Sequence, residues 1–188
     1  AGQRGTRFVV LMGVNTGGTG HFSSFRLIEK KGDTLVLQGT YAYGDRCNGG
    51  LSNDGWAAET GGVLFEQNLT PPDVLNLVAS SSLEYYDDLE ASATSCFGSA
   101  RYLLDPNTGS ATLTGVQFDH SLYDSDTMLA PVDDEWTNRY RYQSCFNQLY
   151  NGYVLRNETQ LTPRQLKEFA RQFFDQCTKK QIEVEWRF

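Results

Sequence analysis

The sequence predicts an α+β fold: a mainly antiparallel β-sheet or flattened barrel, built from two duplicated β-β-β-loop-α units and finished by a C-terminal amphipathic helix and a closing strand. Three observations lead to this prediction. Short stretches with apolar and polar residues in alternation end in Gly, Pro, Asn or Asp, as strands and hairpins do. One stretch near the C-terminus has helical periodicity. Blocks of similar sequence recur in the same order along the chain, which is the signature of an internal repeat.

The repeat consists of four pairs of similar blocks: residues 22–28 and 97–103, 37–39 and 113–115, 47–56 and 145–153, and 69–75 and 161–166. The first unit spans about 7–81 and the second 82–188, which contains an insertion at 119–139. Neither unit is long enough to bury a sizeable core alone, so both should dock in a single domain covering 1–188. Coincidence among common turn and strand residues is the alternative explanation.

Each unit is expected to contain a hairpin. In the first unit an apolar strand at 7–12 precedes strands at 22–28 and 34–41, which the turn Lys31-Gly32-Asp33 connects. In the second unit, strands at 99–104 and 111–118 flank Asp105-Pro106-Asn107-Thr108-Gly109. Pro presets the bend of such a turn, and Asn and Gly tolerate positive φ. A loop rich in Gly and Asn is predicted after both Cys47 and Cys145.

A helix is predicted to follow each of these loops. Thr70 and Thr162 both precede a proline, and Thr at the N-cap with Pro at the first helical position is a typical start. The second helix has an apolar stripe at helical spacing, formed by Leu166, Phe169, Ala170, Phe173, Phe174 and Cys177. Residues 182–188 alternate apolar with charged and predict the closing strand. Residues 82–86 are expected to open the second unit.

The four cysteines, Cys47, Cys96, Cys145 and Cys177, contain no Cys-x-x-Cys pair, and the chain has only two histidines. No metal site is predicted, because a structural zinc site needs about four close-set Cys or His ligands. Two disulfides are favoured over free thiols. Of the three possible pairings we favour Cys47–Cys96 with Cys145–Cys177.

Disulfides indicate an oxidising compartment, so a secreted or periplasmic protein is expected. The start at Ala1 is what removal of a signal peptide or a tag leaves. Two sequons place candidate glycosylation sites at Asn68 and Asn157, and Pro71 after the first is unfavourable.

Composition excludes several classes of protein. With 16 basic and 23 acidic residues the net charge is -7, whereas nucleic-acid binding requires clustered Lys and Arg. No apolar run approaches the roughly 20 residues of a transmembrane helix. The aromatic content of 13% is too high for a disordered tail. No motif for a phosphate loop, a nucleophile elbow or a zinc protease is present, and no cofactor is expected.

Four residues are candidates for chemistry. His21 and His120 could act as general bases, since histidine titrates near neutral pH. Arg26 and Arg101 occupy matching positions in the two units and could each bind a carboxylate through two hydrogen bonds. An exposed or ion-paired arginine in each unit is the alternative that we favour.

The insertion at 119–139 is the most distinctive segment. It has six acidic residues before its first basic one, among them Asp124, Asp126, Asp133, Asp134 and Glu135. It also has Trp136, a residue type frequent at binding interfaces. The insertion is interpreted either as a solvated loop, as a loop that binds a basic partner, or as a calcium loop lacking the EF-hand spacing.

Two functions of different classes remain. The first is a secreted or periplasmic non-catalytic binding protein that recognises a protein partner or a small apolar ligand, through the insertion or the groove between the units. An inhibitor of a basic enzyme is one form of this function. The alternative is a small hydrolase or isomerase with its site between the units. That alternative requires a histidine within hydrogen-bond reach of a carboxylate or nucleophile in a concave pocket.

Overall fold

A computed structural model describes residues 3–4, 6–15, 17–59, 61–78, 88–93, 96–118 and 140–178. The strands are β1 (Gln3–Arg4), β2 (Arg7–Asn15), β3 (His21–Lys31), β4 (Thr34–Asp45), β5 (Leu51–Glu59), β6 (Gly62–Leu69), β7 (Gly98–Asp105), β8 (Ser110–Phe118) and β9 (Gln160–Leu161). The helices are α1 (Pro71–Asn76), α2 (Gln143–Leu155) and α3 (Pro163–Phe173), and a π-helical turn at Phe174–Thr178 extends α3.

The strands form two antiparallel sheets instead of a closed barrel. The first sheet has the order β1-β2-β3-β4 and the second sheet β5-β6-β7-β8-β9. Every strand pairs with its neighbour in sequence except at the step from β4 to β5, where the chain passes from the first sheet to the second. The mainly antiparallel architecture and the predicted hairpins β3–β4 and β7–β8 are confirmed. Local turn chemistry explains this success, since Gly32 and Gly109 both adopt positive φ in the connecting turns.

The inner face of the second sheet carries two hydrophobic cores. At one end, Val63, Phe65 and Leu104 pack against Val9, Phe25, Leu27 and Ala42 of the first sheet. At the other end the helices cover the face, and Phe97, Phe118, Phe146, Tyr150, Phe169 and Phe173 form an aromatic cluster. Tyr102 of β7 contacts both cores. One face of the second sheet therefore packs against the first sheet at one end and against the helices at the other.

Hydrogen bonds also join the two sheets at the β7–β8 turn. The Tyr41 hydroxyl donates to the carbonyl of Gly109 at 2.6 Å. Arg7 Nη1 donates to the carbonyl of Pro106 at 3.1 Å, and also to that of Asn107. These contacts hold one end of the turn against the first sheet and leave the opposite end of the inter-sheet space open.

The helix starts predicted at Thr70 and Thr162 are confirmed. Asp73 Oδ2 accepts the Thr70 N–H at 3.0 Å, and Gln165 Oε1 accepts the Thr162 N–H at 2.9 Å. Such reciprocal capping satisfies N–H groups that the first turn of a helix leaves unpaired.

The prediction of a loop after Cys145 is wrong, because this cysteine lies within α2. Phe146, Tyr150 and Tyr153 are spaced at i, i+4 and i+7 and are all buried. Their burial outweighs the poor helix propensity of the Asn and Gly residues in this segment. The hairpin β5–β6, which the sequence analysis did not include, occupies the corresponding stretch after Cys47.

The structure does not confirm two duplicated units. The second sheet takes β5 and β6 from the first proposed unit and β7 to β9 from the second. Both hairpins have a bulge, with the extra residue at Gln38 in β4 and at Thr114 in β8. Leu27 pairs with the residue after the first bulge, Gly39, and Arg101 pairs with the residue after the second, Gly115, so Leu27 corresponds to Arg101. The sequence blocks instead match Arg26 with Arg101. The two arginines are therefore not at equivalent positions.

Several predictions lie outside the described residues: the opening strand at 82–86, the insertion at 119–139 and the closing strand at 182–188. Within the described chain, none of the helices has the length and hydrophobicity of a membrane span.

Both disulfides are present in the pairing that the sequence analysis favoured. Cys47–Cys96 joins the end of β4 to the start of β7, and Cys145–Cys177 joins α2 to the π-helical turn after α3. The π-helical turn inserts an extra residue into the helical repeat and carries Cys177 next to α2. The Cα atoms of the two pairs lie 4.5 and 5.7 Å apart.

Candidate functional site

A cleft of about 990 Å³ opens at the end of the inter-sheet space that lies away from the β7–β8 turn. The ends of β2 and β3 form one wall, and β5, β6 and the Cys47–Cys96 disulfide form the other. The apolar lining residues are Leu11, Met12, Val14, Phe22, Leu51 and Trp56, and the polar ones include Asn15, His21, Ser23, Arg46, Ser52 and Asn68. A volume of this size matches that of small-molecule sites.

The cleft gathers apolar side chains that are exposed to water. Leu11 and Trp56 are 44% and 39% exposed, and both line it. Trp56 is held in place by an edge-on contact with the buried ring of Phe25, with centroids 6.1 Å apart. Exposed apolar groups that converge on one concave surface are typical of a binding site, because leaving them in water is unfavourable.

The wall beside the disulfide is a tight turn between β4 and β5. Asp45 and Asn48 exchange backbone hydrogen bonds of 3.1 and 2.9 Å, and Arg46 adopts a φ of 48°. A Cβ on Gly44 would collide with the carbonyl of Asn48. Cys47 adds an N–H hydrogen bond of 3.2 Å to the carbonyl of Ala93. The wall therefore depends on a close backbone approach and on the disulfide together.

The charged groups near the cleft neutralise one another. Arg46 donates to both oxygens of Asp45, through Nε at 3.1 Å and Nη2 at 3.2 Å. The backbone N–H of His21 donates to Asp45 Oδ1 at 2.8 Å. The His21 N–H and, after it, the Arg46 guanidinium lower the pKa of the Asp45 carboxyl below its ordinary value. Asp45 is thus ionised at neutral pH and balances the charge of Arg46.

Asn68 is the buried polar residue of the cleft, with 9% of its surface exposed. Its Nδ2 donates to the carbonyls of Arg46 at 3.2 Å and Leu51 at 3.4 Å, and its backbone N–H donates to Gly50 at 2.8 Å. These bonds orient the amide. Asn68 Oδ1 is buried and accepts no hydrogen bond from the described residues, and an unpaired buried acceptor is a costly feature of a folded protein.

The two arginines singled out in the sequence lie apart from this cleft. Arg101 is exposed on β7 and forms an ion pair with Glu66, with distances of 2.6 and 2.9 Å. It borders a smaller cleft of about 330 Å³ beside β8 and β9. Arg26 is in the first sheet, opposite Val10 and Thr40, and its Nε is buried without a hydrogen-bond partner in the described structure. The two guanidinium groups therefore lie in different sheets, and that of Arg101 is already paired with a carboxylate of the protein itself.

The remaining candidate residues have different outcomes. His21 lines the cleft, but its imidazole has no hydrogen bond to any described residue. The described part of the chain contains no cluster of His, Cys, Asp or Glu suited to a metal ion. His120 and the insertion residues Asp124, Asp126, Asp133, Asp134, Glu135 and Trp136 lie outside the described residues.

Sequence reasoning missed the apolar lining and identified Asn68 only as a sequon. Leu11 and Trp56 look like ordinary strand residues in the sequence, and nothing local shows that they stay exposed at the same cleft. Asn68 Oδ1 accepts no hydrogen bond from the described residues, and its burial depends on β6 meeting the turn at 46–51, whose carbonyls bind the Asn68 amide. In the sequence, only the alternation of polar and apolar residues around Phe22 indicated that the two faces of β3 differ in polarity.

Comparisons with protein-family models, with curated proteins and with solved structures find no match to this chain. The chemistry of the cleft is accordingly what indicates a function.

Proposed function

We propose that this protein is a secreted or periplasmic, non-catalytic binding protein that holds a small apolar ligand in the cleft between its two sheets. The observation that carries the proposal is the position of Leu11 and Trp56, both substantially exposed, on one cleft of about 990 Å³. A ligand that covers these side chains removes apolar surface from water, which contributes about 25 cal/mol per Å².

The two disulfides support the proposed compartment. Two disulfides link distant parts of the chain, and such bonds persist mainly in oxidising compartments. A binding protein that works outside the cytoplasm benefits from a covalently closed cleft wall, which Cys47–Cys96 supplies.

The apolar-ligand form of the proposal has more support than the form with a protein partner. Recognition of a basic protein, such as an inhibited enzyme, rests on the acidic insertion and therefore on the sequence alone. The enzyme alternative lacks its required geometry among the described residues, since the His21 ring does not hydrogen bond to a carboxylate there.

The proposal is tested by titrating the protein with N-phenyl-1-naphthylamine, a neutral apolar dye whose fluorescence rises when it leaves water. We expect saturable binding to the wild-type protein. Leu11→Ser should raise the dissociation constant about fivefold, since loss of the apolar contact costs about 1 kcal/mol.

Leu155→Ser is the matched control. Leu155 is 83% exposed on α2 and does not line the cleft, so this variant should bind the dye as the wild type does. An absence of saturable binding to the wild type, or equal losses in both variants, would contradict the proposal.

A further inference from the structure

We infer that Gly13 determines the shape of the ligand, which carries a ring-shaped apolar group that lies against the bare backbone at this residue. This inference rests on the proposed function, because it assumes that the cleft binds a small apolar ligand. It adds the shape of the apolar group and identifies Gly13 as a specificity-determining residue.

Gly13 lines the cleft and is exposed. Val9 of the same strand packs against the second sheet, and residues two positions apart lie on one face of a strand, so Leu11 and Gly13 face the same way. Ser23 is the partner of Gly13 in β3, and its Oγ accepts the Leu51 N–H at 2.7 Å. Gly13 therefore lies beside a contact that joins the two walls of the cleft.

The fold gives no reason for a glycine at this position. A glycine inside a strand weakens it, and often marks a bulge, a tight bend or the close approach of a ligand or another backbone. The pairing of β2 with β3 runs through Gly13 without a bulge, and Gly13 does not have a positive φ. A Cβ on Gly13 would meet no atom within 4 Å.

The other glycines in the described strands differ from Gly13 in this respect. A Cβ on any of them would come within 3.1 Å or less of another atom. They are Gly39, Gly44, Gly55, Gly62, Gly98 and Gly115. Contacts inside the protein explain these six glycines, and the approach of a ligand is the explanation that remains for Gly13.

The missing side chain favours a ring over a straight chain. Leu11, one step nearer the buried core on the same face, carries a side chain that occupies the cleft, and Gly13 leaves the volume of such a side chain free. A single alkyl chain that passes Leu11 would leave this volume unfilled, and atoms around an unfilled space lose contacts. A ring fills it.

Gly13→Leu fills the same space with protein. Calorimetry measures the binding of decahydro-2-naphthol and 1-decanol, which have equal numbers of carbons and one hydroxyl each, to the wild type and to the variant. We expect the dissociation constant of the ring alcohol to rise about tenfold and that of the chain alcohol by less than about threefold. Gly18→Leu is the matched control, because a Cβ on Gly18 also meets no atom within 4 Å and Gly18 does not line the cleft.

Urea unfolding gives a readout that a structural role of Gly13 would change. Leucine suits a strand better than glycine does, so the urea midpoint of Gly13→Leu should equal or exceed that of the wild type. A lower midpoint would show that the fold needs this glycine and would overturn the inference. Where Gly13→Leu does not fold, Gly13→Ala decides, and its methyl group should raise the dissociation constant of the ring alcohol about threefold.

The remaining outcomes are also distinct. Unchanged binding of the ring alcohol to the folded variant would overturn the role of Gly13. Equal losses for the ring and the chain would overturn the ring shape. Failure of the wild type to bind N-phenyl-1-naphthylamine and both alcohols contradicts the proposed function instead.

Discussion

Removal of the Cys47–Cys96 disulfide separates the stability of the fold from the integrity of the cleft. The paired replacement Cys47→Ser with Cys96→Ser opens a loop whose ends are 49 residues apart. The chain-entropy relation assigns such a cross-link about 4 kcal/mol at room temperature. A domain with about 5–15 kcal/mol of stability retains its fold after this loss.

The chain contains its own control for this experiment. Cys145–Cys177 closes a loop whose ends are 32 residues apart, and the same relation assigns it a similar value, also about 4 kcal/mol. This second disulfide joins α2 to the turn after α3 and does not line the cleft. The two double-serine variants should therefore lose similar stability in urea unfolding, measured by circular dichroism.

Binding of N-phenyl-1-naphthylamine should distinguish the two variants under native conditions. Without Cys47–Cys96, the cleft wall loses its covalent link to the segment before β7 and keeps the Cys47–Ala93 hydrogen bond, and we expect affinity to fall by at least about threefold, or about 0.7 kcal/mol. Loss of Cys145–Cys177 should leave affinity unchanged. The reasoning is refuted if both variants bind the dye equally well while both remain folded.

Three further outcomes follow from burial. Asn157 is exposed and Asn68 is buried. In a eukaryotic secretory host, Asn157→Gln should therefore remove a glycan that is visible by mass spectrometry, whereas Asn68→Gln should remove none. Two glycans on the wild-type protein would be inconsistent with this prediction. Burial raises the pKa of Tyr102 from 10.0 to about 12, so the contribution of the neutral Tyr102 side chain to stability is complete below about pH 10 and is lost as the pH rises towards 12. When the pH is raised from about 10 to about 12, the urea stability of Tyr102→Phe should therefore fall less than that of the exposed control Tyr43→Phe. Equal losses in the two variants would argue against the effect. Phe97→Ala should cost about 3–5 kcal/mol in urea unfolding, because Phe97 is fully buried in the aromatic cluster; a cost below about 1 kcal/mol would show that the cluster does not depend on it.

The elements predicted correctly are those whose signals are local. The hairpin β7–β8 follows from its alternation and from the turn at Asp105–Gly109, where the Asp105 carboxylate accepts the Asn107 N–H at 2.8 Å. The starts of α1 and α3 follow from Thr70 and Thr162, each with a proline next to it. All these interactions join residues at most four positions apart.

The helix α2 shows where such reasoning fails. Asn147, Asn151 and Gly152 favour a loop by their intrinsic propensity, and the block similarity to the segment after Cys47 strengthened that interpretation. In the structure, Phe146 and Tyr150 contact the ring of Phe97, with centroids 4.6 and 4.1 Å away. Burial against a distant strand decides the conformation of this segment.

Read alone, the amino-acid order was enough for the antiparallel hairpins, the capped helix starts and a favoured disulfide pairing, because each depends on neighbouring residues or on a small number of possibilities. It was not enough to show that β5 and β6 join β7 in one sheet, or that Leu11 and Trp56 face one cleft. Nor was it enough to show that Asn68 Oδ1 is buried and accepts no hydrogen bond from the described residues. These features arise only when segments far apart in sequence meet, since burial and unpaired hydrogen-bonding groups are properties of the packed chain.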